Sequence, residues 1–115
     1  MSEQFSYEDG PDAATRVLLP SGELDGSAAS EIRRRIEQAL AGGKRRVIVD
    51  LSRITYMETS ALAALLDANA RATRFGAAML VVVPSDSRVR LLFSITRLDK
   101  VLKVLESRQA ALEAA

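Results

Sequence analysis

The sequence contains no cysteine, no histidine and no tryptophan among its 115 residues. Disulfide bonds, thiol nucleophiles, imidazole bases and the common zinc ligands are therefore excluded. The longest apolar run covers residues 77–83, far short of the roughly 20 residues that a membrane-spanning helix needs. Because the N-terminus also lacks the basic and then apolar layout of a signal peptide, we expect a cytoplasmic protein without membrane insertion.

Neither sign of charge is in excess, because sixteen basic residues face fifteen acidic ones and the net charge is +1. This balance gives no general attraction to nucleic acid or to a membrane surface. The arginines at 33–35 are better explained by pairs four residues apart on a solvated helix face, Glu31 with Arg35 and Arg33 with Glu37. A hydrophobic content of 48% and a charged content of 27% are typical of a globular domain.

Strand-like and helix-like segments alternate along the chain. Strands are predicted around Phe5 and Tyr7 and at residues 15–19, 47–49, 77–83 and 101–105. Helices are predicted at residues 28–41, from Ser60 to a stop at Gly76, after Ser85 or Ser87, and after Ser107. Pro20 is predicted to end the second strand, and residues 21–27 to form a polar turn with Asp25 or Ser27 as a helix cap.

This alternation predicts an α/β fold with a mainly parallel, mixed sheet of four to five strands and four to five helices. The length predicts one domain over residues 1–115, with a core over about residues 5–106 and a C-terminal helix over about residues 107–115. Val47, Ile48 and Val49 are consecutive and β-branched, which predicts a strand that is covered on both faces in a parallel sheet.

Glu58, Thr59 and Ser60 bring three oxygen-bearing side chains to the start of the second long helix. One of the two hydroxyls is expected to be the helix N-cap, which accepts from a backbone N–H of the first turn. Three polar residues are more than a cap requires. A phosphoryl group on a hydroxyl here would be tolerated, because a helix start carries unpaired N–H groups and positive partial charge.

Residues 50–62 read DLSRITYMETSAL and resemble the signature of the STAS domain family, in particular its stand-alone anti-sigma factor antagonists. Two further stretches support the resemblance. SGELD at residues 21–25 is similar to the family's G-E-L-D turn, and VRLLFSITRLDKV at residues 89–101 is similar to its late helix and the connection that follows. The three motifs cover nearly the whole chain in the family's order.

The resemblance implies partner switching. An anti-sigma factor that is also a serine/threonine kinase, of the GHKL type, binds the unmodified antagonist and phosphorylates the hydroxyl after the acidic residue, and a phosphatase reverses the modification. In this sequence Thr59 matches the phosphoacceptor, with Ser60 as the runner-up, and Glu58 and Ala61 stand where the family commonly has Asp and Gly. The resemblance also implies a monomer or weak dimer with no cofactor.

The implied partner-binding surface combines the turn at 21–25 with the start of the second long helix. Its residues are Gly22, Glu23, Leu24, Asp25, Glu58, Thr59, Ser60, Ala61 and Leu62.

Two alternatives remain open from the sequence. One is a STAS accessory subunit of a lipid-transport ABC transporter, in which the equivalent threonine contacts an ATPase subunit. The other is an enzyme with Thr59 or Ser60 as its nucleophile, which would need Glu58, Lys44 or Lys100 as the base. Their spacing does not favour this, so we predict no catalytic residue, no metal site and no enzymatic activity.

Overall fold

The β-branched residues Val47, Ile48 and Val49 lie at the centre of a six-stranded sheet in the structure, a computed structural model that describes residues 4–114. The sheet has the order β1-β2-β3-β5-β6, and β4 pairs with a second part of β2. Only β1 is antiparallel to its neighbour. The strands are β1 (Phe5–Asp9), β2 (Thr15–Leu24), β3 (Arg46–Asp50), β4 (Arg53–Met57), β5 (Ala78–Val82) and β6 (Lys103–Leu105).

The described residues form four α-helices and one short 3-10 helix, Leu98–Lys100. The α-helices are α1 (Gly26–Ala41), α2 (Thr59–Arg74), α3 (Arg88–Ile95) and α4 (Arg108–Glu113). The predicted fold class is confirmed, and so are the caps of the last two helices, because the Ser87 and Ser107 side chains accept from the backbone N–H groups of Arg90 and Ala110. Gly76, with a φ of 73°, follows the end of α2 as predicted.

Both faces of the sheet are covered, which explains the uninterrupted apolar run in β3. Val47 and Val49 point into a large core with α1, α2 and α3, whereas Ile48 points into a smaller core beneath α4. Alternate residues of a strand face opposite sides of the sheet, so a strand in this position needs an apolar residue at every step.

The short helix α4 is held against the second face by contacts at both of its ends. Arg108 at its start forms an ion pair with Asp50, whose carboxylate is buried at the end of β3, at 3.2 Å. Arg46 at the start of β3 donates to the backbone carbonyls of Leu112 and Ala114. The cation at the carbonyl end of α4 also complements the helix dipole.

The sequence prediction missed β4 and ended β2 too early. Pro20 does not stop β2, which pairs with β3 over residues 15–18 and with β4 over residues 21–24. Because Pro20 lies between these two segments, neither parallel ladder needs its missing N–H. A bulge separates Gly22 from Glu23, and Gly22 has a φ of 80°, which only glycine adopts without strain.

Two side-chain predictions in the helices also need correction. Glu31 does pair with Arg35, but Arg33 pairs with Asp67 of α2 and Glu37 pairs with Arg71 of α2, so these charges join the helices to each other. The apolar spacing of the α2 sequence predicts that Phe75 faces inward, but it is 68% exposed because it lies just past the end of the helix.

The two phenylalanines at positions 75 and 93 provide a matched test of this core. Phe93 of α3 is fully buried, so Phe93→Ala should lower the free energy of unfolding by about 3–5 kcal/mol. Phe75→Ala removes the same atoms from an exposed site and should change it by less than about 0.5 kcal/mol. Urea denaturation followed by circular dichroism measures both values. Similar losses for the two variants would contradict the assignment of Phe93 to the core.

Candidate functional site

Two helices begin side by side at one edge of the sheet. Leu24 at the end of β2 is paired with Met57 at the end of β4, and the N–H of Glu58 donates to the carbonyl of Leu24 at 2.9 Å. The chain then enters α1 through Asp25 and α2 through Glu58. The two starts are close, since the Ser60 Oγ lies 3.9 Å from where a Cβ on Gly26 would be.

The start of α1 is capped by a carboxylate. Asp25 accepts a hydrogen bond from the N–H of Ala28 at 3.0 Å and another from the hydroxyl of Ser27 at 3.0 Å. These bonds stabilise the charged form, so the pKa of the Asp25 carboxyl is held below its usual value, first by the Ala28 N–H and then by the Ser27 hydroxyl. The predicted role of Asp25 as an N-cap is confirmed.

The start of α2 has no such cap. Glu58 occupies the N-cap position, and its side chain makes no capping hydrogen bond. The prediction that Thr59 or Ser60 would be the cap is wrong, because both lie inside the helix as its first two residues. The N–H groups of the first turn therefore have no side-chain acceptor, and the positive end of the helix dipole is open to solvent.

Glu58, Thr59 and Ser60 are all exposed, and they line an open depression of about 540 Å³. The remaining lining residues are Tyr56, Met57 and Leu92. A hydroxyl in this position can be reached by another macromolecule. A phosphoryl group on it would meet the free N–H groups of the helix start, which favour a negative charge, and the carboxylate of Glu58, which opposes it.

Not all residues of the predicted partner-binding surface reach the surface. Glu23, Asp25, Glu58, Thr59 and Ser60 are exposed, and Gly22 is half-buried. Leu24, Ala61 and Leu62 are buried in the main core, so their placement on this surface is corrected. The apolar side chains fix the backbone beneath the polar residues and cannot themselves touch a partner. The predicted turn at residues 21–24 is likewise wrong, since these residues belong to β2.

The alanine at position 61 fits the helix start without strain. Its N–H donates to the carbonyl of Glu58 at 3.0 Å, and its φ is not positive. Glycine is required only where φ is positive or the backbone is approached closely. Ala61 therefore takes the helical conformation of α2 without needing the backbone freedom of glycine.

Sequence reasoning missed Tyr56 and Leu92, which form the wall of the depression opposite the helix start. Tyr56 lies in β4, a strand that the sequence does not predict because its buried and exposed residues do not alternate regularly. Leu92 was assigned to α3, but its position beside Thr59 depends on how α3 packs against β4. The aromatic residue two positions before Glu58 was the one feature of the sequence that could have indicated this lining of the depression.

Of the three candidate bases, Glu58 lines the depression with Thr59 and Ser60, whereas the two lysines do not line it. Lys44 lies beyond the opposite end of α1 and donates to the carbonyl of Ala13, and Lys100 belongs to the 3-10 helix. Within residues 4–114 no group of three acidic side chains could hold a metal ion. A hollow between β1 and α1 has a volume of only about 10 Å³, which is room for a single water molecule.

The chain was compared with protein families and with solved structures. A family model described as the STAS domain matches residues 9–111. Separately, none of the helices in the described part of the chain is both long and apolar enough to cross a bilayer.

Several solved structures share this fold. The Thermotoga maritima protein TM1081, provisionally described as an anti-sigma factor antagonist, superposes with a TM-score of 0.81 at 21% identity, covering 95% of this chain and 92% of its own. An anti-sigma factor antagonist from Mycobacterium paratuberculosis has a TM-score of 0.74 at 21% identity, covering 94% and 91%. The phosphorylated Bacillus cell fate determinant SpoIIAA has a TM-score of 0.64 at 24% identity, covering 92% and 95%.

The capping carboxylate of Asp25 should make the stability of the protein depend on pH. Its folded-state pKa is lowered, so its contribution to stability is present above its unfolded pKa, about 4, and is lost as the pH falls through the folded pKa. Asp25→Asn keeps a capping oxygen that does not titrate. The melting temperature of the wild type should therefore exceed that of Asp25→Asn at neutral pH, and the difference should shrink in acid.

Thermal unfolding between about pH 7 and pH 3 measures this difference. Asp25→Ala serves as the comparison, since it has no cap at any pH and should melt below both other proteins at neutral pH. A difference between wild type and Asp25→Asn that stays constant over the whole range would contradict the role of the charge.

Proposed function

This chain belongs to the STAS domain family, and we propose that it is an anti-sigma factor antagonist whose partner choice is controlled by phosphorylation of Thr59. The observation that carries the proposal is an exposed hydroxyl at an uncapped helix start. Thr59 is the first residue of α2, and the helix has no side-chain cap. The similarity to SpoIIAA, which has been solved in unphosphorylated and phosphorylated forms, supports the same conclusion.

In this proposal the unmodified chain binds an anti-sigma factor that is also a GHKL-type kinase, and so frees the sigma factor for transcription. The kinase then transfers the γ-phosphoryl group of ATP to the Thr59 Oγ1, which loses its proton, and ADP is released. A phosphatase hydrolyses the phosphothreonine to restore the hydroxyl and inorganic phosphate. The chain is the substrate of both reactions and supplies no catalytic group to either.

Phosphorylation would release the partner because it adds charge and volume to Thr59 inside the contact between the two proteins. Phosphorylation adds about −1.5 to −2 charges beside the exposed carboxylate of Glu58. The helix start stabilises this charge within the chain, so α2 stays folded. A partner surface matched to the neutral hydroxyl then faces a dianion, and like charges brought together across an interface cost several kcal/mol.

The polar residues beside Thr59 complete the proposed contact surface. Glu23 and Asp25 at the end of β2 and Ser60 on α2 are exposed, and Gly22 permits the bulge that turns this end of β2. Ser60 is the second candidate for the phosphoacceptor. We favour Thr59 because it is the first residue of α2 and matches the phosphoacceptor position of the family motif, whereas the Ser60 Oγ lies towards the start of α1.

Incubation of the full chain with the cognate kinase and ATP should add one phosphate, and Thr59→Ala should abolish it because the acceptor hydroxyl is removed. Intact-mass spectrometry with peptide mapping measures the modification. Thr73→Ala is a matched control, since Thr73 is an exposed threonine near the far end of α2, and it should be phosphorylated like the wild type. The phosphorylated chain should bind the kinase at least tenfold more weakly, which corresponds to about 1.4 kcal/mol.

Other outcomes have defined meanings. A phosphate mapped to Ser60 would move the site by one residue and keep the function. A chain that binds no kinase, accepts no phosphate and instead copurifies with the ATPase of a lipid transporter would overturn the proposal in favour of a transporter accessory subunit.

A further inference from the structure

We propose that the partner which contacts Thr59 also docks on an apolar strip formed by Tyr56, Leu91, Leu92 and Ile95, here called the α3 strip. The inference rests on the proposed function, because it concerns the same partner. The α3 strip is a contact area that phosphorylation leaves unchanged, so it would set the basic affinity while Thr59 controls the switch.

The outward side of α3 is apolar, which is unusual for a helix that already buries its other side. Val89 and Phe93 fill the core, whereas Leu91 is 64% exposed and Ile95 is 70% exposed. Leu91 and Ile95 are four residues apart and so lie on one side of the helix. A surface helix normally presents polar residues to solvent. Exposed apolar side chains that are grouped in this way are typical of a protein contact area.

The α3 strip continues directly into the depression at Thr59. Tyr56, which is 53% exposed, and Leu92 line the depression of about 540 Å³ that reaches Thr59 and Ser60. The same two residues line a second depression of about 260 Å³, between β4 and α3, which extends to Arg88. The two depressions share Tyr56, Met57 and Leu92, so together they form a groove from the start of α2 to Arg88 at the start of α3. Leu91 and Ile95 do not line this groove but lie beside it on α3, next to Leu92.

The size of the α3 strip argues for a shared partner instead of a second copy of this chain. A stable protein interface needs about 800 Å² from each side, corresponding to about 20–30 residues. Four side chains do not provide this area by themselves. Joined to the exposed residues at the starts of α1 and α2, they extend one continuous surface towards that size, and the occupant of the groove is then the protein that reads Thr59.

The charges along the groove describe the segment that would fit it. Glu58 lies at the Thr59 end and Arg88, which is exposed, lies at the other end. Asp86 precedes α3 and Arg53 begins β4, and both are also exposed. An apolar segment of the partner would cover Leu91 and Ile95, with a carboxylate placed to meet Arg88. Buried aromatic and aliphatic anchors of this kind carry much of the affinity in protein interfaces.

The experiment compares the binding of the full-length chain and its variants to the cognate kinase by calorimetry. The double variant Leu91→Ala/Ile95→Ala should bind at least tenfold more weakly than the wild type. Phe75→Ala is the matched control, because Phe75 is equally apolar and 68% exposed but follows the far end of α2, about 24 Å along the helix from Thr59. It should bind within twofold of the wild type.

A second variant tests the charge without altering apolar surface. Arg88→Glu should also weaken binding at least tenfold, because a carboxylate on the partner would then face a like charge. Both variants should still accept a phosphate on Thr59 when the kinase concentration is raised to saturation. Unchanged thermal unfolding would show that each variant is folded.

Three results would overturn the inference. If both variants bind like the wild type while Thr59→Ala still cannot be phosphorylated, the α3 strip is not a docking site but the proposed function stands. If the wild type binds no kinase at all, the proposed function fails and the inference fails with it. If the wild type self-associates in sedimentation and Leu91→Ala/Ile95→Ala does not, the α3 strip is instead covered by a second copy.

Discussion

The pairing of β2 with β4 is the constraint on which the rest of the candidate site depends. This pairing ends at Leu24 and Met57, and the bond from the Glu58 N–H to the Leu24 carbonyl holds the two chain segments together where both helices begin. The carboxyl ends of parallel strands lie at one edge of a sheet, which is where such folds usually bind partners. Because β2 pairs first with β3 and then with β4, α1 and α2 follow two strands that are paired with each other at their ends.

The two helix starts are chemically different although they are geometrically similar. Asp25 satisfies the start of α1 with its own charge, whereas α2 begins with free N–H groups and two exposed hydroxyls. A helix start that is already capped by a carboxylate has little to gain from a further negative charge. The uncapped start can stabilise one, so under the proposed function the difference in capping favours α2 over α1 as the place for a phosphoryl group.

Much of the fold could be predicted because it follows from local chemistry. The β-branched run at Val47, the cap at Asp25 and the stop at Gly76 each depend on a few neighbouring residues. The incorrect predictions concern features that depend on contacts between segments distant in the sequence. The passage of β2 through Pro20 and the burial of Leu24 depend on which strand lies alongside, and periodicity within one segment carries no information about its neighbours.

In the candidate site, too, the features set by neighbouring residues could be predicted and those set by packing could not. The motif placed Thr59 at a helix start, but the wall opposite it, built by Tyr56 and Leu92, arises only when α3 packs against β4. The link between Arg33 and Asp67 was also beyond a local pattern, because it depends on the packing of α1 against α2.

An uncapped helix start needs support from elsewhere, and the burial along α2 supplies it. The missing cap costs about 1 kcal/mol of helix stability. The ion pairs of α2 with α1, Arg33 with Asp67 and Arg71 with Glu37, are largely exposed and contribute at most about that much each. Burying a leucine side chain contributes about 1.5–3 kcal/mol, and α2 buries both Leu62 and Leu65 within its first two turns. The burial of these two residues thus exceeds the cost of the missing cap, so α2 can begin without a side-chain cap.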